Sequence, residues 1–424
     1  MVRILEASDM RRVLARRAAK LSDAENVVRP ILEAVRKRGD KGLLEYARKF
    51  DNLERKSVRV PARELAAAAD QLTPAFRSAV QVSSNNVRRF AEKQLPRDWS
   101  ANFGSGMKLG QIVRPLDTVA AYIPAGRYPL PSTLIMTAVP AQVAGVKNIC
   151  VACPKPVTEV YGTARLLGVD QVFQMGGAQA IAAFAYGTKT VPRADRIVGP
   201  GNIYVAAAKK LLAGEVGIDF VAGPTEILII AAAGDPKFIA ADMLAQAEHD
   251  TDASAILLTT SKRLALQVAA EIEKQLLTLQ TAPVARKAID RNSAIIIVRS
   301  LDEAVELSDS FAPEHLSIHH EELLPKIHHA GSVFVGPYST EAAGDYASGP
   351  NHVLPTSGVS RLRGGLSAAD YVKVISVQQL DARALARIAP AITTLARAEG
   401  LEAHARSVEI RLPRRDREGA DDAT

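Results

Sequence analysis

Long apolar runs, cysteines and aromatic residues are all scarce in this chain. None of its 424 residues lies in a stretch approaching the roughly 20 consecutive apolar residues that cross a bilayer, so no membrane association is expected. The N-terminus, MVRILEASDMRRVLARRAAK, is basic but carries Glu6 and Asp9 and has no apolar h-region. It reads as neither a secretory signal nor a transit peptide, and a cytoplasmic location is the expectation. The two cysteines, Cys150 and Cys153, have no second pair with which to complete a metal site. NICVACPKP reads as a buried strand running into a loop, not as the helix N-terminus that activates a thiol, so both are expected to be small core residues. Aromatic residues make up 5%, and the Arg and Lys residues are scattered rather than clustered. Nucleic acid is therefore not an expected partner, although the net charge of +7 suits an anionic one such as a dinucleotide. The basic runs at 11–20 and 36–41 have helical spacing and read as solvated helix faces.

What is present is an ordinary globular balance, 47% hydrophobic and 23% charged, over a length that calls for more than one core. Residues 1 to about 110 read as helical, with a break at Gly39. From about residue 117, short β-branched runs (DTVAAYIP, KNICVAC, QVFQM, DRIVG, TEILIIA, SAILLTT, SAIIIVR, SVFVG) alternate with Ala-rich helical stretches. That alternation implies right-handed βαβ units, and eight or so strands imply two sheets rather than one. The expected class is α/β, with two incomplete Rossmann-like parallel-sheet domains and small helical segments at either end. The expected divisions are a helical segment at 1–24, a discontinuous catalytic domain of 25–121 plus 226–366, and a cofactor domain at 122–225. A helical segment at 367–412 and a disordered, charged tail at 413–424 complete the chain.

Several short patterns could carry chemistry. Asp235 and Pro236 start a helix whose far end reads AQAEHD, where Gln246 and His249 share one face and offer an amide oxygen and an imidazole. Ala312-Pro313-Glu314-His315 sets a carboxylate beside an imidazole at the start of a strand, a kit for general acid–base work. The segment from Gly344 to Pro355 reads as a loop holding Asp345 and His352, the latter a ligand or a loop-structuring donor. Glu399 and His404 lie near the C-terminus. The turns at Gly176-Gly177 and Gly199-Pro200-Gly201 each precede a helix and could present N–H groups to a phosphate, but neither completes G-x-G-x-x-G. His319, His320, His328 and His329 read as surface residues.

Taken together, AYIPAGRYPLPSTLIMTAVPAQVAGV, MGGAQAIAAFAYGT, VGPGNIYVAAAKK, DFVAGPTEILIIA, AQAEHD, APEHL, GSVFVG, GDYASGPNHVLPT and EGLEAH resemble the histidinol dehydrogenases, in that family's order and over nearly the whole chain. The resemblance implies oxidation of L-histidinol to L-histidine through a bound aldehyde, with two NAD and one zinc ion per subunit. It implies zinc ligands at Gln246, His249, Asp345 and His404, and a catalytic pair at Glu314 and His315. Thr225, Gln246, His249, His315, Asp345, Glu399 and His404 are implied as substrate contacts, and Tyr122, Gln179 and Asn202 as cofactor contacts. It further implies a homodimer in which Glu399 and His404 act across the interface. Departures from the family's pattern are Ala125 in YIPAGR, Thr225 in AGPTE and the absence of an arginine after Lys373. A relative oxidising another small polar alcohol is the alternative reading.

Overall fold

The computed structural model describes residues 2–9, 21–104, 106–124, 128–155 and 157–412. The basic run at 11–20, Ala125 and the charged tail lie outside them. In chain order the elements are β1 (Arg3–Glu6), α1 (Leu21–Arg38), α2 (Asp40–Asp51), α3 (Ala62–Gln71), α4 (Pro74–Gln94), β2 (Trp99–Asn102), β3 (Met107–Pro115), β4 (Thr118–Tyr122), α5 (Pro131–Ala144), β5 (Asn148–Ala152), α6 (Thr158–Leu166), β6 (Gln171–Phe173), α7 (Gly177–Tyr186), β7 (Arg196–Val198), α8 (Ile203–Leu212) and β8 (Gly217–Ile218). There follow β9 (Glu226–Ile230), α9 (Pro236–Ala247), β10 (Ser254–Thr259), α10 (Lys262–Leu276), α11 (Ala282–Asn292), β11 (Ala294–Ile297), α12 (Leu301–Phe311), β12 (His315–Ile318), β13 (Ser332–Val335), α13 (Glu341–Tyr346), β14 (Val372–Leu380), α14 (Ala382–Ala398) and α15 (Glu402–Glu409).

The chain divides into two compact units, the larger made of 1–95 and 116–371, the smaller of 96–115 and 372–424. Two parallel sheets build the larger unit. One has five strands in the order β6-β5-β4-β7-β8, the other six in the order β1-β11-β10-β9-β12-β13. In each, the chain works outward from one strand and then returns to that strand's other side, so the order reverses between β4 and β7 and between β9 and β12. Such a reversal leaves a crevice at the carboxyl ends of the strands, where α/β proteins bind ligands.

Burial on both faces explains the apolar strand sequences. Ile227, Ile229, Leu257 and Ile295 pack against Ile239, Met243, Val268 and Ile289 of α9, α10 and α11. Their strand neighbours Leu228, Ile230, Ile256 and Ile296 point the other way, onto Val305 and Phe311 of α12. In the five-stranded sheet, Ala120, Tyr122, Cys150 and Phe173 face α1, α7 and α8 through Val28, Ile181 and Val205. Both cysteines are buried, as their setting in the sequence implied.

Three local readings need correction. The N-terminal segment is not purely helical, because Arg3–Glu6 pairs in parallel with β11 as an edge strand. Four residues carry too little periodicity to announce this; the partner supplies it. Residues 367–412 are mostly helical but not helical throughout. Val372–Leu380 pairs along its length with β3, and β2 completes a three-stranded antiparallel sheet in the smaller unit. Finally, Asp345 lies on the short helix α13 rather than in a loop.

Candidate active site

The six-stranded sheet carries its reactive groups at the amino ends of β9 and β12. His315 opens β12 opposite Ile227, so Glu314–His315 and Thr225–Glu226 stand side by side. Helix α9, capped by the Asp235 side chain on Lys237 N–H as its sequence implied, brings Gln246 to the same place. A continuous hydrogen-bond chain results. Gln246 Nε2 donates to Thr225 Oγ1 at 2.7 Å, and Thr225 Oγ1 donates to Glu314 Oε2 at 2.6 Å. Glu226 N–H donates to the same carboxylate oxygen at 2.8 Å. Because Nε2 is fixed, the orientation of the amide is fixed. Gln246 Oε1 is thereby left fully buried with no hydrogen-bond partner.

That orphaned oxygen bears directly on a metal. His249 Nε2 and Asp345 Oδ2 are 4.0 Å apart, somewhat wider than the roughly 3.3 Å between two ligands about 2 Å from a tetrahedral zinc ion, so a small side-chain adjustment would let both bind it. An amide oxygen, an imidazole and a carboxylate form an acceptable zinc set with a position to spare. Among the described residues no three His, Cys, Asp or Glu side chains make a metal cage by themselves, so the proposed set draws on the amide of Gln246 as well. The fourth ligand implied by the resemblance, His404, belongs to the smaller unit with Glu399, where both are exposed on either side of the Gly400 turn.

His315 is 4% exposed. Its Nδ1 faces the Glu226 carbonyl oxygen at 3.2 Å, an acceptor only, so Nδ1 carries a hydrogen and Nε2 is the basic nitrogen of the neutral ring. Nε2 is buried without a hydrogen bond and stands 3.5 Å from Asp345 Oδ1. Burial alone would lower the pKa of the ring. Glu314, Asp345 and Glu341 outweigh it and push the pKa up to about 10. Burial raises the Asp345 carboxyl, but His315 overrides it and holds the group below its ordinary value.

Glu341 was not singled out in the sequence, although it precedes Asp345 by one helical turn and so shares its face. It is 2% exposed and neither carboxylate oxygen has a hydrogen-bond partner. Burial, with Asp345, Asp242 and Glu314 adding to it against His315, pushes its carboxyl well up. His352 proves to be a loop-structuring group. Its Nδ1 lies 2.8 Å from the Asp345 carbonyl oxygen and its Nε2 3.1 Å from Thr133 Oγ1. His320 is likewise half-buried, not a plain surface residue, and accepts Ala232 N–H at 3.1 Å at the opposite end of β9.

The implied cofactor residues sit on the five-stranded sheet, at the carboxyl ends beside its reversal point. Tyr122 ends β4, Gln179 is in the first turn of α7, and Asn202 caps α8. The two glycine turns are not open phosphate cradles. Gly176 N–H and Gln179 Nε2 both donate to Asp51 Oδ2 at 2.9 Å, and Gly177 N–H donates to Tyr122 Oη at 3.1 Å. Asn202 Oδ1 takes the N–H groups of Tyr204 and Val205. Side chains of the protein thus already fill the anion-binding positions that the turns suggested. A cleft of about 630 Å³ is lined by Gly201 and Asn202 together with Thr225 and Glu226. It brings the implied cofactor and substrate residues onto one surface.

The thiols are unsuited to nucleophilic catalysis. Burial pushes Cys150 up to about 12 and Cys153 up to about 11.

Sequence and structure both resemble known proteins over nearly the whole chain. The family model described as histidinol dehydrogenase matches residues 14–412. The chain is 48% identical to the histidinol dehydrogenase of Geobacter sulfurreducens over 411 residues, covering 94% of this chain and 96% of that protein. It is 46% identical to that of Bacillus thuringiensis subsp. konkukian over 393 residues, covering 91% and 92%. The crystal structure of histidinol dehydrogenase from Elizabethkingia anophelis superposes with a TM-score of 0.92 at 36% identity, covering 97% of this chain and 98% of that one.

Proposed function

Because the chain belongs to the histidinol dehydrogenase family, whose role is histidine biosynthesis, we propose that it oxidises L-histidinol to L-histidine in two NAD-linked steps, using one zinc ion per subunit. The observation that carries this reading is the buried chain from Gln246 through Thr225 to Glu314, which leaves the Gln246 amide oxygen without a hydrogen-bond partner.

Gln246, His249 and Asp345 would hold the metal, with His404 completing the set. When bound, zinc would fix the substrate's nitrogens and NAD would provide the hydride acceptor. The remaining chemistry belongs to the chain. His315, with Nδ1 committed to the Glu226 carbonyl, takes the alcohol proton at Nε2 in the first oxidation and accepts a proton again in the second. Glu314, held by Thr225 and Glu226, accepts a proton from the water that hydrates the aldehyde between the two oxidations. Burial of this pair excludes competing solvent, so the aldehyde is converted where it forms.

A homodimer working in the cytoplasm completes the proposal, with Glu399 and His404 reaching the partner's site. The smaller unit supports it, since β14 exposes Val374, Ile375 and Val377, and Trp99, Leu395 and Ile410 are also exposed. Apolar area of this extent on a small sheet calls for cover. Removing zinc with a chelator is expected to abolish L-histidinol oxidation and adding it back to restore the rate. An undiminished rate in the stripped protein would contradict the zinc assignment.

A further inference from the structure

Gly199 follows β7 and begins the turn that ends at the cap residue Asn202. Its φ is 107°, and a Cβ there would stand 2.3 Å from the Tyr122 carbonyl oxygen, so the turn lies directly on the end of β4. Both backbone polar groups of this glycine are held by a single buried ion pair. Gly199 N–H donates to Asp219 Oδ2 at 2.7 Å, and its carbonyl accepts from Lys209 Nζ at 3.0 Å. Lys209 and Asp219 are themselves paired, and they are only 2% and 6% exposed. Asp219 Oδ1 also accepts Phe220 N–H at 2.7 Å, while Arg363 Nη1 donates to the Asp219 carbonyl at 2.8 Å.

Burying two charges is a weak route to stability, because their desolvation offsets much of their attraction. Apolar side chains of similar volume would fill the same space. What the pair does here is positional. Lys209 belongs to α8, whose cap is Asn202, whereas Asp219 begins the segment that runs to Thr225. One ion pair therefore ties the turn to the segment, and residues of both line the cleft.

We propose that Lys209 and Asp219 are positioning residues for the dinucleotide, fixing the Gly199–Asn202 turn against the Thr225 segment so that the coenzyme meets the substrate in register. Both are buried and neither lines the cleft, so they would act through the turn. The proposal rests on the reading that NAD binds at the strand ends carrying Tyr122 and Asn202.

The test is the double variant Lys209→Met/Asp219→Asn, which removes both charges together and leaves none buried alone. NADH affinity is read from its fluorescence, alongside L-histidinol affinity and zinc content. The expected result is an NADH Kd raised at least tenfold, about 1.4 kcal/mol, with zinc content and the L-histidinol Kd within about twofold of the parent. Lys209→Arg, which keeps the charge but not the shape, is expected to show a smaller loss of the same selective kind. It also serves as the test if the double variant does not fold. An NADH Kd unchanged in the folded variants, or one that worsens in parallel with L-histidinol binding, would overturn the proposal. Asn202→Ala separates the two levels of the argument. If it leaves NADH binding intact, the coenzyme placement fails and this inference with it.

Discussion

Thr225 is the residue on which the site's internal order depends, and Thr225→Val isolates what its hydroxyl does. Valine matches threonine in shape, so no cavity opens, but two hydrogen bonds disappear. Glu314 loses the 2.6 Å donor, while Glu226 N–H stays at 2.8 Å. Gln246 Nε2 loses its acceptor in a side chain that is fully buried. Leaving one such amide group unsatisfied costs about 1–3 kcal/mol, and weakening a hydrogen bond to a carboxylate costs a similar amount. The two effects share a partner and overlap, so we expect a loss of about 2–3 kcal/mol of unfolding free energy in the metal-free protein. The second consequence is more diagnostic. With Nε2 released, the amide can turn, and Oε1 is no longer held in place. Loss of a group that orients a metal ligand typically weakens binding about 10–100-fold. Thr225→Ser keeps the hydroxyl and should stay within about threefold of the parent for zinc, losing at most about 0.8 kcal/mol for the methyl. Competition against a chromogenic chelator measures zinc affinity, and urea unfolding of the stripped protein measures stability. If Thr225→Val binds zinc as tightly as the parent, or if Thr225→Ser falls as far as Thr225→Val, the argument is wrong.

Other expectations follow from the same geometry. In the metal-free protein His315 is pushed up to about 10, above its unfolded value of about 6.5, so its charged form stabilises the fold. That contribution should be complete below pH 6.5 and lost as pH rises through about 10; an NMR titration midpoint near 6.5 would refute it. Zinc, by neutralising Asp345, should lower the midpoint and give the neutral base at working pH. Cys150→Ala and Cys153→Ala should each retain turnover and lose about 1 kcal/mol of stability by urea unfolding, since these buried thiols fill space and make only weak hydrogen bonds to Gln171 and the Lys155 carbonyl. His249→Ala and His404→Ala should each be inactive as homodimers. Co-refolded at equal concentrations they should regain about a quarter of the parent's rate, because half the dimers would be hybrids with one intact site; no recovery would place His404 in its own subunit's site.

The fold was legible where burial on two faces wrote long apolar strands, as in TEILIIA and SAILLTT. It was not legible where pairing alone creates a strand. Arg3–Glu6 is an edge whose partner lies nearly 300 residues away, and Val372–Leu380 alternates too weakly to stand out from the helices after it. The site shows the same division. Gln246 and His249 were visible as a pair three apart at a helix end, although α9 stops at Ala247 and leaves His249 just beyond it, and Glu314–His315 as adjacent acid and base. The resemblance, not spacing, singled out Thr225. Its pivotal place emerges only when β9 and β12 lie side by side. Glu341 was missed because an acid on an Ala- and Gly-rich segment looks solvated until the helix turns it inward. The glycine turns misled for the opposite reason. Their N–H groups are real donors, but Asp51 and Asn202 reach them first.

The most direct test of the account is the number of NADH molecules formed per L-histidinol consumed by the zinc-loaded protein. The account predicts two, with no free aldehyde accumulating. A ratio of one would end the reaction at the aldehyde and contradict the proton-transfer roles of Glu314 and His315, and no NADH from L-histidinol alongside oxidation of another alcohol would contradict the substrate itself.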